Sequence, residues 1–116
     1  MPKRGEVYMV NFDPATGSEM KKTRPALILQ NNVANEYSPV TIVAAITSFK
    51  KSISYPTEVV VLSPEGGLIA DSVVLLNQIR TIDKQRLIER KGNLKEETMD
   101  KINGALEISL GLIEIL

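Results

Sequence analysis

Residues 40–47, VTIVAAIT, form a short, continuous run of apolar and β-branched residues. Such a run is typical of a buried β-strand, and the polar segment SFKKSISYP that follows has the composition of a loop. Four further segments of strand character are found at 6–12, 26–30, 57–62 and 72–82. Because no helical pattern separates these five strands, we expect a mainly antiparallel sheet curled into a small barrel.

The end of the chain has a different periodicity, in which apolar residues recur at intervals of three and four. These residues are Met99, Ile102, Leu106, Leu110 and Ile113. The spacing predicts a C-terminal α-helix with one apolar face. Asn93 and Glu96 would form its N-terminal capping box, and Gly111 would end it. Gly104 inside the helix indicates close packing at that point.

The composition limits the possible chemistry. A chain of 116 residues with 43% hydrophobic and 24% charged residues is expected to fold as a single domain spanning 1–116. It contains no cysteine and no histidine, which excludes disulfides, thiolate nucleophiles and the usual general base near neutral pH. No signal-peptide pattern and no apolar run of about 20 residues is present, so a cytoplasmic location is expected.

Charge is unevenly distributed although the formal net charge is zero. Residues 1–91 carry twelve Lys/Arg against nine Asp/Glu, whereas residues 92–116 carry two against five. This balance does not support a general nucleic-acid-binding surface, but it is compatible with a local cationic groove.

Specific blocks of sequence carry a resemblance to a known family. They are RGEVYMVNFDPATGSE, TRPALILQN, TIVAAITS, DSVVLLNQIRTIDKQRL and ALEISLGL. In this order and spacing they resemble the MazF/PemK toxins. The resemblance implies a small Src-homology-3-like barrel of the CcdB/MazF type with a C-terminal helix. It also implies a homodimer that binds RNA across its interface, and inhibition by the disordered C-terminal segment of a cognate antitoxin.

The reaction that the resemblance implies is sequence-specific cleavage of single-stranded RNA such as mRNA. The 2′-hydroxyl attacks its own phosphate and leaves a 2′,3′-cyclic phosphate and a 5′-hydroxyl, with no metal and no cofactor. Two other functions remain open. One is a gyrase poison of the CcdB type, and the other is a catalytically silent protein that only binds RNA or antitoxin.

Three residues are candidates for catalysis. Arg24 precedes Pro25, which favours extended backbone, and its planar guanidinium suits a phosphate. Arg24 and Thr47 match the family's catalytic arginine and threonine, although a surface arginine paired to an acid and an ordinary strand threonine are the simpler interpretations. Glu19 in the GSE motif would act as a base or hold Arg24, and a solvated loop acid is an equally good interpretation. Since arginine stays protonated in proteins, the base is left open between Glu19 and water.

Eight residues are candidates for RNA binding because of their charge, their aromatic ring or their match to the family's RNA-contacting blocks. They are Lys21, Lys22, Asn31, Lys50, Lys51, Tyr55, Gln78 and Arg80. Solvated lysines and solvent-facing polar strand residues are the alternative interpretation. Many relatives are glycine-rich between the GSE and RP motifs, where this chain has MKKT at 20–23. A stiffer and more basic loop is therefore expected, and no relative's cleavage sequence is carried over.

Overall fold

Six strands form one antiparallel sheet in a computed structural model that describes residues 1–49 and 55–114. The strand order is β4-β5-β3-β2-β1-β6. The strands are β1 (Glu6–Asn11), β2 (Thr23–Ile28), β3 (Val40–Ser48), β4 (Glu58–Val61), β5 (Ser72–Asp83) and β6 (Leu87–Asn93). The helices are α1 (Asn32–Tyr37) and α2 (Glu96–Ser109), with short 3-10 turns at Glu65–Gly67 and Lys84–Arg86.

This architecture confirms the predicted fold class, a mainly antiparallel β protein with a C-terminal helix. The edge strands β4 and β6 are not paired with each other in the described part of the chain, so the sheet is open there instead of closed into a full barrel. All five predicted strands are present. Among residues 1–49 and 55–114, no helix has the length and apolar character that crossing a membrane requires.

Two elements were missing from the sequence prediction. Strand β6, LIERKGN, lies at the sheet edge and is largely exposed, so it lacks the apolar composition by which buried strands are recognised. Helix α1, NVANEY, has the composition of a loop, and it begins because the Asn31 side chain accepts a hydrogen bond from the backbone N–H of Ala34 at 2.9 Å.

The core lies on both faces of the central strands. On β2, Leu27 belongs to one buried cluster, whereas its neighbours Ala26 and Ile28 belong to the other. The first cluster includes Ile102 and Ala105, so α2 covers that face. Burial on both faces explains the continuous apolar runs in β2 and β3.

The ends of α2 differ in part from the prediction. The predicted capping box is wrong, because Asn93 is the last residue of β6 and the N-cap is Lys95, whose backbone N–H donates to Glu65 Oε2 at 2.9 Å. Gly111 follows the helix with φ +72°, which confirms it as the stop signal. The expectation of close packing at Gly104 is also wrong, since a Cβ added there would have no neighbour within 4 Å among residues 1–49 and 55–114.

A buried polar cluster attaches α1 to the sheet. Asn35 is 1% exposed, and its Oδ1 accepts hydrogen bonds from Thr41 Oγ1 at 2.8 Å and Gln30 Nε2 at 3.1 Å. Its Nδ2 donates to the Gln30 carbonyl at 2.8 Å. Each buried polar group thus has a partner, which is the condition under which such groups stabilise a fold.

Candidate active site

Arg24 and Thr47 come together because of the register between β2 and β3. In that pairing Ala26 lies opposite Ala45, and the same register continued by two residues places Arg24 opposite Thr47. The paired region begins at Ala26, directly after Pro25, which has no N–H to donate. The two strands are therefore unpaired at the position where both candidate side chains stand.

The Arg24 guanidinium is held on one side and open on the other. Its Nε donates to the Lys21 carbonyl at 2.9 Å, and its Nη1 lies 3.5 Å from Thr47 Oγ1, at the limit of a hydrogen bond. Within the described ranges, no carboxylate forms an ion pair with Arg24. The interpretation of Arg24 as an arginine paired to a surface acid therefore finds no support among these residues, and its charge is available to an anion.

Both residues line a pocket of about 420 Å³, a size within the range of about 300–1,000 Å³ usual for ligand sites. The lining combines apolar side chains with hydroxyl and charged groups. It consists of Met9, Thr23, Arg24, Pro25, Ile46, Thr47, Ser48, Gly67, Leu68, Ile69, Ala70, Ser72, Glu89 and Lys91.

Glu89 and Lys91 are pocket residues that the sequence analysis missed. Both belong to β6, where Glu89 pairs with Met9 of β1. Lys91 Nζ lies 3.6 Å from Glu89 Oε1, within ion-pair distance. Since Met9 also pairs with Pro25, Glu89 stands in the same row across the sheet as Pro25, the residue that follows Arg24. Because the sequence of β6 does not have the apolar composition of a buried strand, it gave no indication that Glu89 and Lys91 reach this pocket.

A close backbone contact builds one wall of the pocket. Gly67 has φ +73°, and a Cβ added there would lie 2.1 Å from the Lys91 carbonyl oxygen. Only glycine allows the segment after the 3-10 turn to approach β6 this closely. Leu68, Ile69 and Ala70 then continue along the pocket.

Glu19 is not brought into this pocket. Its Oε1 accepts a hydrogen bond from the Thr16 backbone N–H at 2.8 Å, within the loop between β1 and β2. Glu19 instead lines a smaller cavity of about 70 Å³, together with Gln78 and Arg80. The structure thus groups Arg24 with Thr47 but places Glu19 with the predicted RNA-binding residues of β5.

The other predicted RNA-binding residues occupy different surroundings. Lys21 and Lys22 are exposed in the loop just before Arg24, and Tyr55 is 64% exposed. Asn31 is exposed, with its side-chain oxygen engaged in capping α1. Lys50 and Lys51 lie outside the described residues.

Lys22 has a backbone conformation that favours glycine. Its φ is +66°, and it is held there because its N–H donates to Asp13 Oδ1 and its carbonyl accepts from the Phe12 N–H, each at 2.9 Å. A lysine therefore occupies a turn position whose backbone conformation favours glycine, two residues before Arg24.

One tyrosine on β1 has a shifted pKa. Burial raises the pKa of Tyr8, and the Glu6 carboxylate raises it further, while Arg90 lowers it. Glu6 and Arg90 form an ion pair between β1 and β6. The Tyr8 phenol is therefore neutral at physiological pH and adds no charge to this part of the sheet.

Comparison with known proteins assigns the family. Residues 3–110 match the family model described as PemK-like, MazF-like toxin of type II toxin-antitoxin system. The chain belongs to this family. The toxin is 48% identical over 112 residues to Endoribonuclease EndoA of Bacillus subtilis, which covers 97% of each chain. It is 46% identical over 112 residues to Endoribonuclease MazF of Staphylococcus epidermidis, with 97% of this chain and 93% of the relative covered.

Solved structures give the same assignment for the fold. MazF from Deinococcus radiodurans superposes with a TM-score of 0.81 at 29% identity, covering 95% of this chain and 96% of that one. An endoribonuclease in complex with its cognate antitoxin from a mycobacterial species superposes with a TM-score of 0.80 at 29% identity, covering 99% and 100% of the two chains. The family and fold predicted from the sequence are confirmed.

Proposed function

We propose that this toxin is an endoribonuclease that cuts single-stranded RNA, including mRNA, at a short sequence in the cytoplasm. It needs no metal and leaves a 2′,3′-cyclic phosphate and a 5′-hydroxyl. The observation that carries the proposal is the meeting of Arg24 and Thr47 at one pocket, with no carboxylate paired to Arg24 among the described residues. The names of both curated relatives support the reaction class.

Arg24 is the electrostatic centre of the proposed mechanism. As the 2′-oxygen attacks phosphorus, negative charge grows on the non-bridging oxygens and on the departing 5′-oxygen. A guanidinium held by the Lys21 carbonyl presents its remaining N–H groups to that charge without reorganising, and it can protonate the leaving oxygen. Thr47 donates its hydroxyl to the same phosphate. Arg24 Nη1 and Thr47 Oγ1 are 3.5 Å apart and interact only weakly, so a phosphate oxygen can replace their contact.

The proton of the attacking 2′-hydroxyl needs an acceptor, and arginine, being protonated, does not provide one. Of the two candidate carboxylates, Glu89 shares the pocket with Arg24 and Thr47, whereas Glu19 faces a separate cavity. Glu89 is therefore better placed to accept the proton, either directly or through one water.

The partners follow from the same family. RNA backbone would be attracted by the exposed Lys21 and Lys22 beside Arg24, and an unpaired base would stack on Tyr55. A homodimer and a cognate antitoxin complete the proposed system. The superposable endoribonuclease–antitoxin complex supports the antitoxin partner.

The test incubates purified toxin with a long unstructured RNA, with and without EDTA, followed by mapping of cut sites and analysis of the ends. Site-specific cutting that resists EDTA and leaves cyclic phosphate is expected. Cutting that EDTA abolishes, or ends that carry a 5′-phosphate, would contradict the mechanism. If no RNA in a broad sequence library is cut, trapping of gyrase on DNA distinguishes a gyrase poison from a silent binding protein.

A further inference from the structure

Strand β5 changes its register where it passes the loop between β1 and β2. Leu75 of β5 lies opposite Ala45 of β3, but the next β3 residue in the pairing, Ala44, lies opposite Ile79. The residues between them, including Gln78, bulge out of the regular β3–β5 pairing. Bulges of this kind redirect side chains and occur frequently beside active sites.

The redirected Gln78 side chain forms hydrogen bonds to the loop through both the oxygen and the nitrogen of its amide. Its Oε1 accepts from the Met20 backbone N–H, and its Nε2 donates to the Ser18 carbonyl, each at 3.3 Å. Two residues further along β5, Arg80 Nη1 donates to the Phe12 carbonyl at 2.7 Å, where the loop begins. Both side chains therefore already make hydrogen bonds to the loop within the protein.

The hydrogen bonds between Gln78 and the loop lie close to Arg24 along the chain. Met20 is followed directly by Lys21, whose carbonyl accepts the hydrogen bond from Arg24 Nε at 2.9 Å. The loop is also held by packing, since the Met20 side chain contacts a buried cluster of the core, and a cavity of about 70 Å³ lies where Glu19 and Met20 of the loop meet Gln78 and Arg80 of β5. A change at Gln78 should thus move the Lys21 carbonyl and, with it, the guanidinium.

We infer that Gln78 is a positioning residue, which clamps the loop between β1 and β2 and thereby fixes the orientation of Arg24. This assignment replaces the expectation that Gln78 contacts RNA. Its catalytic part rests on the proposed nuclease function, whereas the clamp itself is independent of any activity.

The test compares two substitutions of nearly equal size. Gln78→Met keeps the length of the side chain but removes both hydrogen bonds. Gln78→Glu keeps an acceptor for the Met20 N–H, loses the donor to Ser18 and adds a negative charge that faces the Ser18 carbonyl. Gln85→Ala is the control, because Gln85 is exposed and lies beyond the end of β5, in the 3-10 turn Lys84–Arg86.

Two readouts are measured on each full-length variant. The first is hydrogen exchange of the Met20 amide by NMR, and the second is the separation of kcat from KM, with cut-site mapping, on several RNAs. Gln78→Met should speed Met20 exchange roughly fivefold to tenfold, the effect of losing one hydrogen bond. It should lower kcat roughly tenfold to a hundredfold through a misplaced Arg24, with unchanged KM and cut sites. Gln78→Glu should retain most of the Met20 protection.

Several results would overturn the inference. Unchanged Met20 exchange in Gln78→Met would show that the clamp does not hold the loop. Faster exchange with unchanged kcat would break the connection to Arg24. A raised KM with altered cut sites and normal exchange would show that Gln78 contacts RNA directly. If the wild-type toxin cuts no RNA, the nuclease proposal fails, and the exchange comparison still decides whether the clamp exists.

Discussion

Replacing Thr47 by valine removes one hydroxyl from the pocket and keeps the branched shape that β3 accommodates. In the free protein this hydroxyl lies 3.5 Å from Arg24 Nη1, a contact too long to contribute much. Since Thr47 is also only partly buried, the change in unfolding free energy should stay within about 0.5 kcal/mol. Stability and catalysis are therefore expected to respond very differently to this substitution.

The catalytic effect is set by the transition state. A hydroxyl that donates to a charged oxygen in such a site is worth about 2.7–4 kcal/mol, so Thr47→Val should slow cleavage about 10²- to 10³-fold. Thr47→Ser keeps the donor and should stay within about tenfold of wild type. The assay is single-turnover cleavage at saturating toxin, with urea unfolding of each variant in parallel. Wild-type cleavage by Thr47→Val, or an equal loss in both variants, would refute the assigned role.

Three further predictions follow from the described contacts. Asn35→Ala should lower the unfolding free energy by about 2–4 kcal/mol, because buried partners including Thr41 lose their bonds; a loss below 1 kcal/mol in urea melts would contradict the network. Gly104→Ala should raise the unfolding free energy by about 0.5–1 kcal/mol, since no residue in the described part of the chain comes within 4 Å of the added methyl group, and a lowered melting temperature would show a close neighbour. Glu89→Gln should slow cleavage about 10²-fold, because it removes the proposed proton acceptor, whereas Glu19→Gln should stay within about tenfold of wild type in the same single-turnover assay; the reverse pattern would make Glu19 the base.

Much of the fold was predictable because buried strands carry their own signal. The run VTIVAAIT is apolar at nearly every position since β3 is covered on both faces. Strand β6 has no such signal, because an edge strand needs backbone pairing on one side only and tolerates charged residues. Helix α1 was missed because its stability comes from the Asn35 cluster and not from an apolar face.

The candidate site was predictable to a similar extent. Motif identity pointed to Arg24 and Thr47, although only the β2–β3 register shows that they meet. Glu89 joins them from across β1, a neighbourhood that no local pattern encodes. The direction of Gln78 depends on the bulge in β5, so its sequence context could not distinguish contact with RNA from contact with the loop.

The measurement that tests the central claim most directly is single-turnover cleavage of a mapped RNA target by Arg24→Ala, with the urea unfolding curve as a control. Arg24 has no ion-pair partner among the described residues, so its truncation should change the unfolding free energy by no more than about 1 kcal/mol. Cleavage should fall by at least about 10³-fold, because the charge that we propose stabilises the transition state is removed. Cleavage by Arg24→Ala at the wild-type rate would contradict the assignment of this pocket as the active site.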